Sequence, residues 1–155
     1  MTDTIEARLA AAGVTLPVAA APAANYVPYV TYNNVLQTSG QLPFEDGKIV
    51  AIGKLGGGVS LEDGQRAAKA CAVNILAQAS AALGGDLTRI VRLLKLTVFV
   101  ASDAGFTEQH KVANGASDFM VEILGDAGRH ARSAVGVPSL PFDAAVEIEA
   151  FFEIK

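Results

Sequence analysis

The 155-residue chain has no tryptophan and a single cysteine, Cys71. One thiol excludes an intrachain disulfide framework and any cysteine-built zinc site. Cys71 falls at an apolar position of a helical pattern, so it is expected to fill core rather than to attack a substrate. Histidine is nearly as scarce: His110 and His130 are too far apart to pair on one helix, and neither has a second histidine at metal-ligand spacing, so no metal centre is expected. Long basic runs are absent. Twelve Lys and Arg stand against 16 Asp and Glu, a net charge of −4, which argues against non-specific binding to nucleic acid or to a membrane surface. The uncharged run from Leu9 to Asn25 imitates a secretion signal, but Asp3 and Glu6 occupy what would be the basic head and Gly13 and Pro17 interrupt the apolar centre. The most apolar later run, Ile90 to Val100, is short and carries Arg92 and Lys95, so no membrane span is expected and a cytoplasmic protein is the reading.

What is present fits one domain, with 51% hydrophobic residues and ample length for a core. Asp3 and Glu6 have capping-box spacing ahead of a short helix, and Pro17 and Pro22 mark an extended connector. Tyr26 to Ser39 reads as two strands joined at Asn33-Asn34, a pair that tolerates positive φ. Glu45-Asp46-Gly47 is a turn leading to a strand over Lys48 to Ile52. The run Gly53-Lys54-Leu55-Gly56-Gly57-Gly58 invites a phosphate-loop reading but lacks the G-x-x-x-x-G-K-[ST] spacing, so a flexible loop beside a cleft is expected. Ser60 caps a long helix, Leu61 to Leu83, whose apolar residues recur at three- and four-residue steps until Gly84-Gly85 ends it. Ile90 to Val100 predicts a central strand covered on both faces, and Thr107 to Leu124 a second helix closed by Gly125. On that helix His110 is expected at the surface, while Asn114 either meets solvent or reaches into a cleft.

The stretch from Arg129 to Glu149 carries the candidate chemistry. Ala131 to Val137 predicts one strand and Ala145 to Ile154 another, the second alternating without a break: Val146, Ile148, Ala150, Phe152 and Ile154 on one face, Glu147, Glu149, Phe151 and Glu153 on the other. Pro138 and Pro141 bracket a connection too long for a tight hairpin. If the two strands pair, Arg132 and Glu147 line one pocket; the plainer alternative is a cross-strand surface ion pair, worth little. The element order gives an α+β fold, with both helices on one face of a mixed sheet and the other face bare. A bare face carrying Phe99 and Phe151 implies self-association.

Three stretches, Pro28-Tyr29-Val30, Thr38-Ser39-Gly40-Gln41-Leu42-Pro43, and Ala131-Arg132-Ser133 through Leu140-Pro141 to Val146-Glu147-Ile148-Glu149, resemble the Rid (reactive intermediate deaminase) or YjgF family, some of whose members are called endoribonuclease L-PSP. The similarity runs over residues 22–155 and leaves 1–21 as an extension. It implies a chorismate-mutase-like fold, a homotrimer whose sheets form a central barrel, and clefts between subunits. It further implies that Arg132 binds the carboxylate of a 2-imino or enamino acid, that Glu147 holds the attacking water, and that Tyr29, Ser39, Gly40 and Asn114 shape the cleft. The implied reaction is hydrolysis of imines such as 2-iminopropanoate to a 2-keto acid and ammonia. It needs neither metal nor organic cofactor, because an iminium carbon is already electrophilic. Two other readings stay open: a trimer that captures a small carboxylate without turnover, and a ribonuclease, against which the acidic charge counts. Four features depart from the family pattern: Ala134 where many members have cysteine, His130 before the Ala-Arg pair, a longer segment from Phe106 to Arg132, and Lys54. Together they point to an altered cleft mouth.

Overall fold

The computed structural model describes residues 3–155. A short helix α1 (Ile5–Ala11) leads through an extended connector to the hairpin β1 (Tyr29–Tyr32) and β2 (Val35–Thr38). A two-strand ribbon follows, β3 (Phe44–Glu45) and β4 (Lys48–Ile49), then helix α2 (Leu61–Ala82) and strand β5 (Ile90–Ala101). Helix α3 (Gln109–Leu124), strand β6 (Ala131–Val137) and strand β7 (Val146–Ile154) complete the chain. The fold is the α+β arrangement expected, a five-stranded mixed sheet in the order β1-β2-β7-β5-β6 with the helices packed on one face.

Local chemistry accounts for the ends of most elements. Asn33 turns the first hairpin at φ 50° and Asp46-Gly47 the second at 51° and 77°. Ser60 accepts from the Asp63 amide and starts α2; Gly84 and Gly85, at φ 66° and 88°, stop it. Two expectations need correction. Thr4, not Asp3, caps α1 by accepting from the Ala7 amide at 3.1 Å, because the Asp3 carboxylate is taken by the Arg8 guanidinium. Strand β4 ends at Ile49 because Ala51 adopts φ 60°, which breaks the extended run. The glycine-rich loop is tied to the end of β5, with the Leu55 amide donating to Ala101 O at 2.9 Å and the Asp103 amide to Leu55 O at 3.0 Å.

The larger correction concerns topology. Strands β6 and β7 do not pair; β5 lies between them, parallel to β6 and antiparallel to β7. The chain leaves β5 through α3 and returns beside it as β6, so the Pro138–Pro141 connection must pass over the end of β5 to reach its other side. It is stitched there by the Ala101 amide to Ala145 O at 2.8 Å and the Ser102 amide to Val137 O at 3.0 Å. This explains a connection longer than a hairpin needs.

The core lies between sheet and helices. Leu36, Leu93, Leu96, Val98, Ile148, Ala150 and Phe152 face Ala68, Cys71, Ala72, Ile75 and Leu76 of α2 and Val112, Ala116, Phe119 and Met120 of α3, all buried. Cys71 is core, as expected, and burial pushes its thiol well above the ordinary range. The connector is fixed to α2 by the Gln78 amide, which donates to Ala20 O at 2.8 Å, and Leu9 of α1 joins the same core. Strand β5 is covered on one face only: Thr97 and Phe99 alternate with its buried residues and stay half-exposed. They share the uncovered face with Glu147, Glu149, Phe151, Val30 and Tyr32.

Candidate active site

Arg132 stands in β6 opposite Leu96, so its side chain projects to the helical face. There it meets a single stripe of α3, positions 110, 114 and 117, which the helical repeat places one above another. Nη1 donates to Asn114 Oδ1 at 2.9 Å and to Ser117 Oγ at 3.1 Å, and Nη2 donates to the His110 backbone carbonyl at 3.0 Å. All three acceptors are neutral, and among the described residues no carboxylate pairs with this guanidinium. A guanidinium has five N–H donors, so Nε–H and one Nη2–H remain, the number a carboxylate takes in a bidentate pair. The surroundings are a depression of about 270 Å³ lined by Ser117, Val121, Arg129, His130 and Arg132.

Glu147 stands in β7 opposite Phe99, on the uncovered face. Its neighbourhood is made by an irregularity in β2. Between the pairs Gln37–Phe151 and Gln41–Ile148 the first strand advances four residues and the second three, so one residue is extra. Thr38 repairs the ladder with its side chain, Oγ1 accepting from the Ala150 amide at 3.1 Å. The bulge brings Gly40 under the Glu147 side chain: a Cβ there would lie 2.1 Å from Glu147 Oε1. Ser39 is fixed beside it, its hydroxyl donating to Val27 O at 2.6 Å and its amide to Pro28 O at 2.9 Å. Tyr29 pairs with Thr38 and is half-buried at the edge of the core.

Burial raises the Glu147 pKa from its ordinary value, and the Glu149 charge adds to the effect. An acid whose folded pKa is raised disfavours folding once it ionises: its contribution is most favourable below the unfolded pKa and is lost as pH rises through the folded one. Glu147→Gln is therefore expected to be at least as heat-stable as the parent at pH 7. Its advantage should close as pH falls into the carboxylate range, which melting curves across pH would check.

Within one chain these groups form two clusters. Arg132 and Asn114, with the unforeseen Ser117, gather at the β6 edge on the helical face. Glu147, Gly40 and Ser39 gather around β7 and the end of β2, with the carboxylate on the opposite face, while Tyr29, paired with Thr38, packs toward the core on the helical side. Strand β5 separates the two charges, and Leu96 and Phe99, their partners on it, are three residues apart. That is roughly 10 Å across the sheet and roughly 10 Å along it. The shared pocket inside one chain and the surface ion pair are both excluded, since each required β6 beside β7. Ser117 had one signal in the sequence, its place three residues after Asn114 on the same helical stripe.

Comparison with known proteins agrees with the resemblance. Protein TCP17 of Trypanosoma cruzi is 51% identical over 152 residues, 97% of this chain and 94% of that protein. The crystal structure of Atu1372 from Agrobacterium tumefaciens, a protein of unknown function, is 56% identical, covers 99% of this chain and 94% of its own, and superposes with a TM-score of 0.93. The crystal structure of Escherichia coli TdcF with bound serine is 27% identical, covers 89% of this chain and 94% of its own, and has a TM-score of 0.64. A family model matches residues 6–154, and by that match the chain belongs to the YjgF/chorismate-mutase-like endoribonuclease family.

Proposed function

We propose that the chain is a hydrolytic deaminase of 2-imino and enamino acids such as 2-iminopropanoate. Its working site is completed between copies of a homotrimer, by Arg132 and Asn114 of one copy and Glu147, Gly40, Ser39 and Tyr29 of the next. One observation carries the reading: a partly buried guanidinium held in place by three neutral acceptors, with two donors left and, among the described residues, no carboxylate paired with it. A charge that is oriented but not neutralised suits an anion brought from outside, and the planar fork suits a carboxylate. The serine in TdcF, a small molecule bearing a carboxylate, supports the same class of ligand. The uncovered sheet face supports association, because Glu147, Phe99 and Phe151 lie on it.

In this scheme the substrate carboxylate takes Nε–H and Nη2–H of Arg132, which aims its C=N carbon at a water held by Glu147. The water oxygen bonds to the carbon of the protonated imine, the C=N π pair moves to nitrogen, and Glu147 accepts one water proton, leaving a carbinolamine. The Glu147 carboxyl gives that proton to the amine nitrogen. The C–N bond then breaks with its electron pair on nitrogen as the hydroxyl oxygen closes C=O and passes its proton to Glu147, releasing ammonia and a 2-keto acid. Solvent or ammonia takes the last proton from the carboxyl. A carboxylate with a raised pKa serves both steps, as a stronger base and then as an acid able to give the proton back. The acid limb of the pH–rate profile is therefore expected to be shifted upward from the position an ordinary glutamate would give.

The test generates 2-iminopropanoate in place with an amino-acid oxidase and follows its disappearance. The protein is expected to accelerate decay, and Arg132→Ala to lose about 100-fold in kcat/KM. Pyruvate bound without any acceleration of decay would leave a carboxylate-capturing protein in place of an enzyme. Gly40→Ala gives a second check. Its new Cβ would displace only the mobile end of Glu147, so folding should change by less than about 1 kcal/mol. The carboxylate itself would be moved by an ångström or more, and kcat should fall about 10- to 100-fold with KM little altered.

A further inference from the structure

His130 and Ser117 are not needed to bind the substrate or the water, yet both are joined to Arg132. His130 Nδ1 lies 2.6 Å from Gly128 O, and its Nε2 lies 2.9 Å from Ser117 Oγ, which is itself 3.1 Å from Arg132 Nη1. The direction of every bond in this chain follows from the first. A backbone carbonyl can only accept, so the proton of a neutral imidazole sits on Nδ1, and Nε2 presents a lone pair. Ser117 has one hydroxyl proton, which goes to that lone pair. Its oxygen lone pairs are then turned toward the guanidinium, which has only protons to offer. A serine whose hydroxyl could rotate would hold Arg132 only part of the time; the imidazole removes that freedom.

We propose that His130 is a positioning residue that, through Ser117, locks the Arg132 guanidinium in its carboxylate-receiving orientation. The proposal rests on the reading that Arg132 receives the substrate acid. Burial pushes the His130 pKa down, and the Arg132 charge contributes in the same direction despite the opposing Gly128 bond, so the neutral ring that this chain of bonds requires is the form present at pH 7. The residue stands two places before Arg132 in the chain, where the sequence departs from the family pattern, and its neighbour Arg129 faces solvent, pairing with Asp126.

The two carboxamide replacements separate this role from mere space-filling. Gln at position 130 can place its Oε1 near the position of Nε2 and so keep the acceptor for Ser117; Asn can replace only Nδ1, keeping the bond to Gly128 and losing the one that matters. With 2-iminopropanoate as substrate, His130→Gln is expected to keep a near-parental KM. His130→Asn, His130→Ala and Ser117→Ala should each raise KM about three- to tenfold while kcat changes less than twofold. Nitrogen-15 NMR of the unliganded protein should show the Nδ1–H tautomer. Equal KM values for the Gln and Asn variants, an unchanged KM in Ser117→Ala, or an Nε2–H tautomer would each overturn the proposal. Ser117→Ala removes a single oxygen atom, so it remains informative if a His130 variant fails to fold. The tautomer is read without any ligand: an Nδ1–H ring together with an Arg132→Ala protein of full activity would refute the function assigned to Arg132 while leaving this network standing.

Discussion

Co-assembling Arg132→Ala chains with Glu147→Gln chains, each nearly inactive alone, is expected to restore about one quarter of the parental activity per site. The argument is geometric. In a single chain the guanidinium lies on the helical face at the β6 edge and the carboxylate on the bare face of β7, with β5 between them. No rotamer brings them together through a packed sheet, so a substrate touching both needs two copies of the chain. In a cyclic trimer each site draws its arginine from one copy and its glutamate from the next. With equal mixing, the arginine is intact in half of the sites and the neighbouring glutamate independently in half. A site built within one chain would yield no activity at any mixing ratio, since every chain lacks one group. The variants have to be expressed together or refolded together, and mass spectrometry has to establish that mixed oligomers formed. Mixed oligomers with no recovered activity would refute a site shared between copies.

The same geometry marks how far the sequence could be read. The alternation of β7, the Asn33 hairpin, the Ser60 cap and the glycine stops are local signals, and each appears where the pattern placed it. The insertion of β5 between β6 and β7 is set by which strand lands beside which after a helix crossover, and period-two patterns carry no information about that. Consequently the pattern puts Arg132 on the correct strand and in the wrong relation to Glu147. The sequence marks Asn114 but not its partner Ser117, because one small hydroxyl on a helix looks like any surface serine until the strand beneath supplies an arginine. In the sequence His130 is only a departure from the family pattern; its use lies in two ring nitrogens with different partners. Asp3 looked like the helix cap because a carboxylate three residues before Glu6 fits the spacing, and Arg8 then claimed it.

Gly115→Ala is expected to lower both stability and affinity for the substrate acid, although alanine is the better helix former. At this point α3 crosses α2 so closely that a Cβ on residue 115 would lie 2.0 Å from Gln65 O and 2.7 Å from its carbonyl carbon. Propensity favours the substitution by about 1 kcal/mol. Against it stands a backbone atom that cannot turn aside as a side-chain tip could; the helices must part by more than an ångström, against the Gln65 amide that donates to Lys111 O at 2.9 Å. Overpacking of this kind costs about 3 kcal/mol at the upper end of its usual range, so the net loss should be about 2 kcal/mol and the melting temperature should drop by about 4–8 °C. The displaced helix is also the one that presents His110 O, Asn114 and Ser117 to Arg132, so KM should rise while kcat, set at the distant carboxylate, changes less. Gly105→Ala is the control, because nothing lies within 4 Å of a Cβ there, and it should alter stability by less than about 0.5 kcal/mol. A Gly115→Ala protein that melts as high as its parent would mean that the two helices slide apart at little cost, and the rigid seat required for the guanidinium would then have to come from β6 alone.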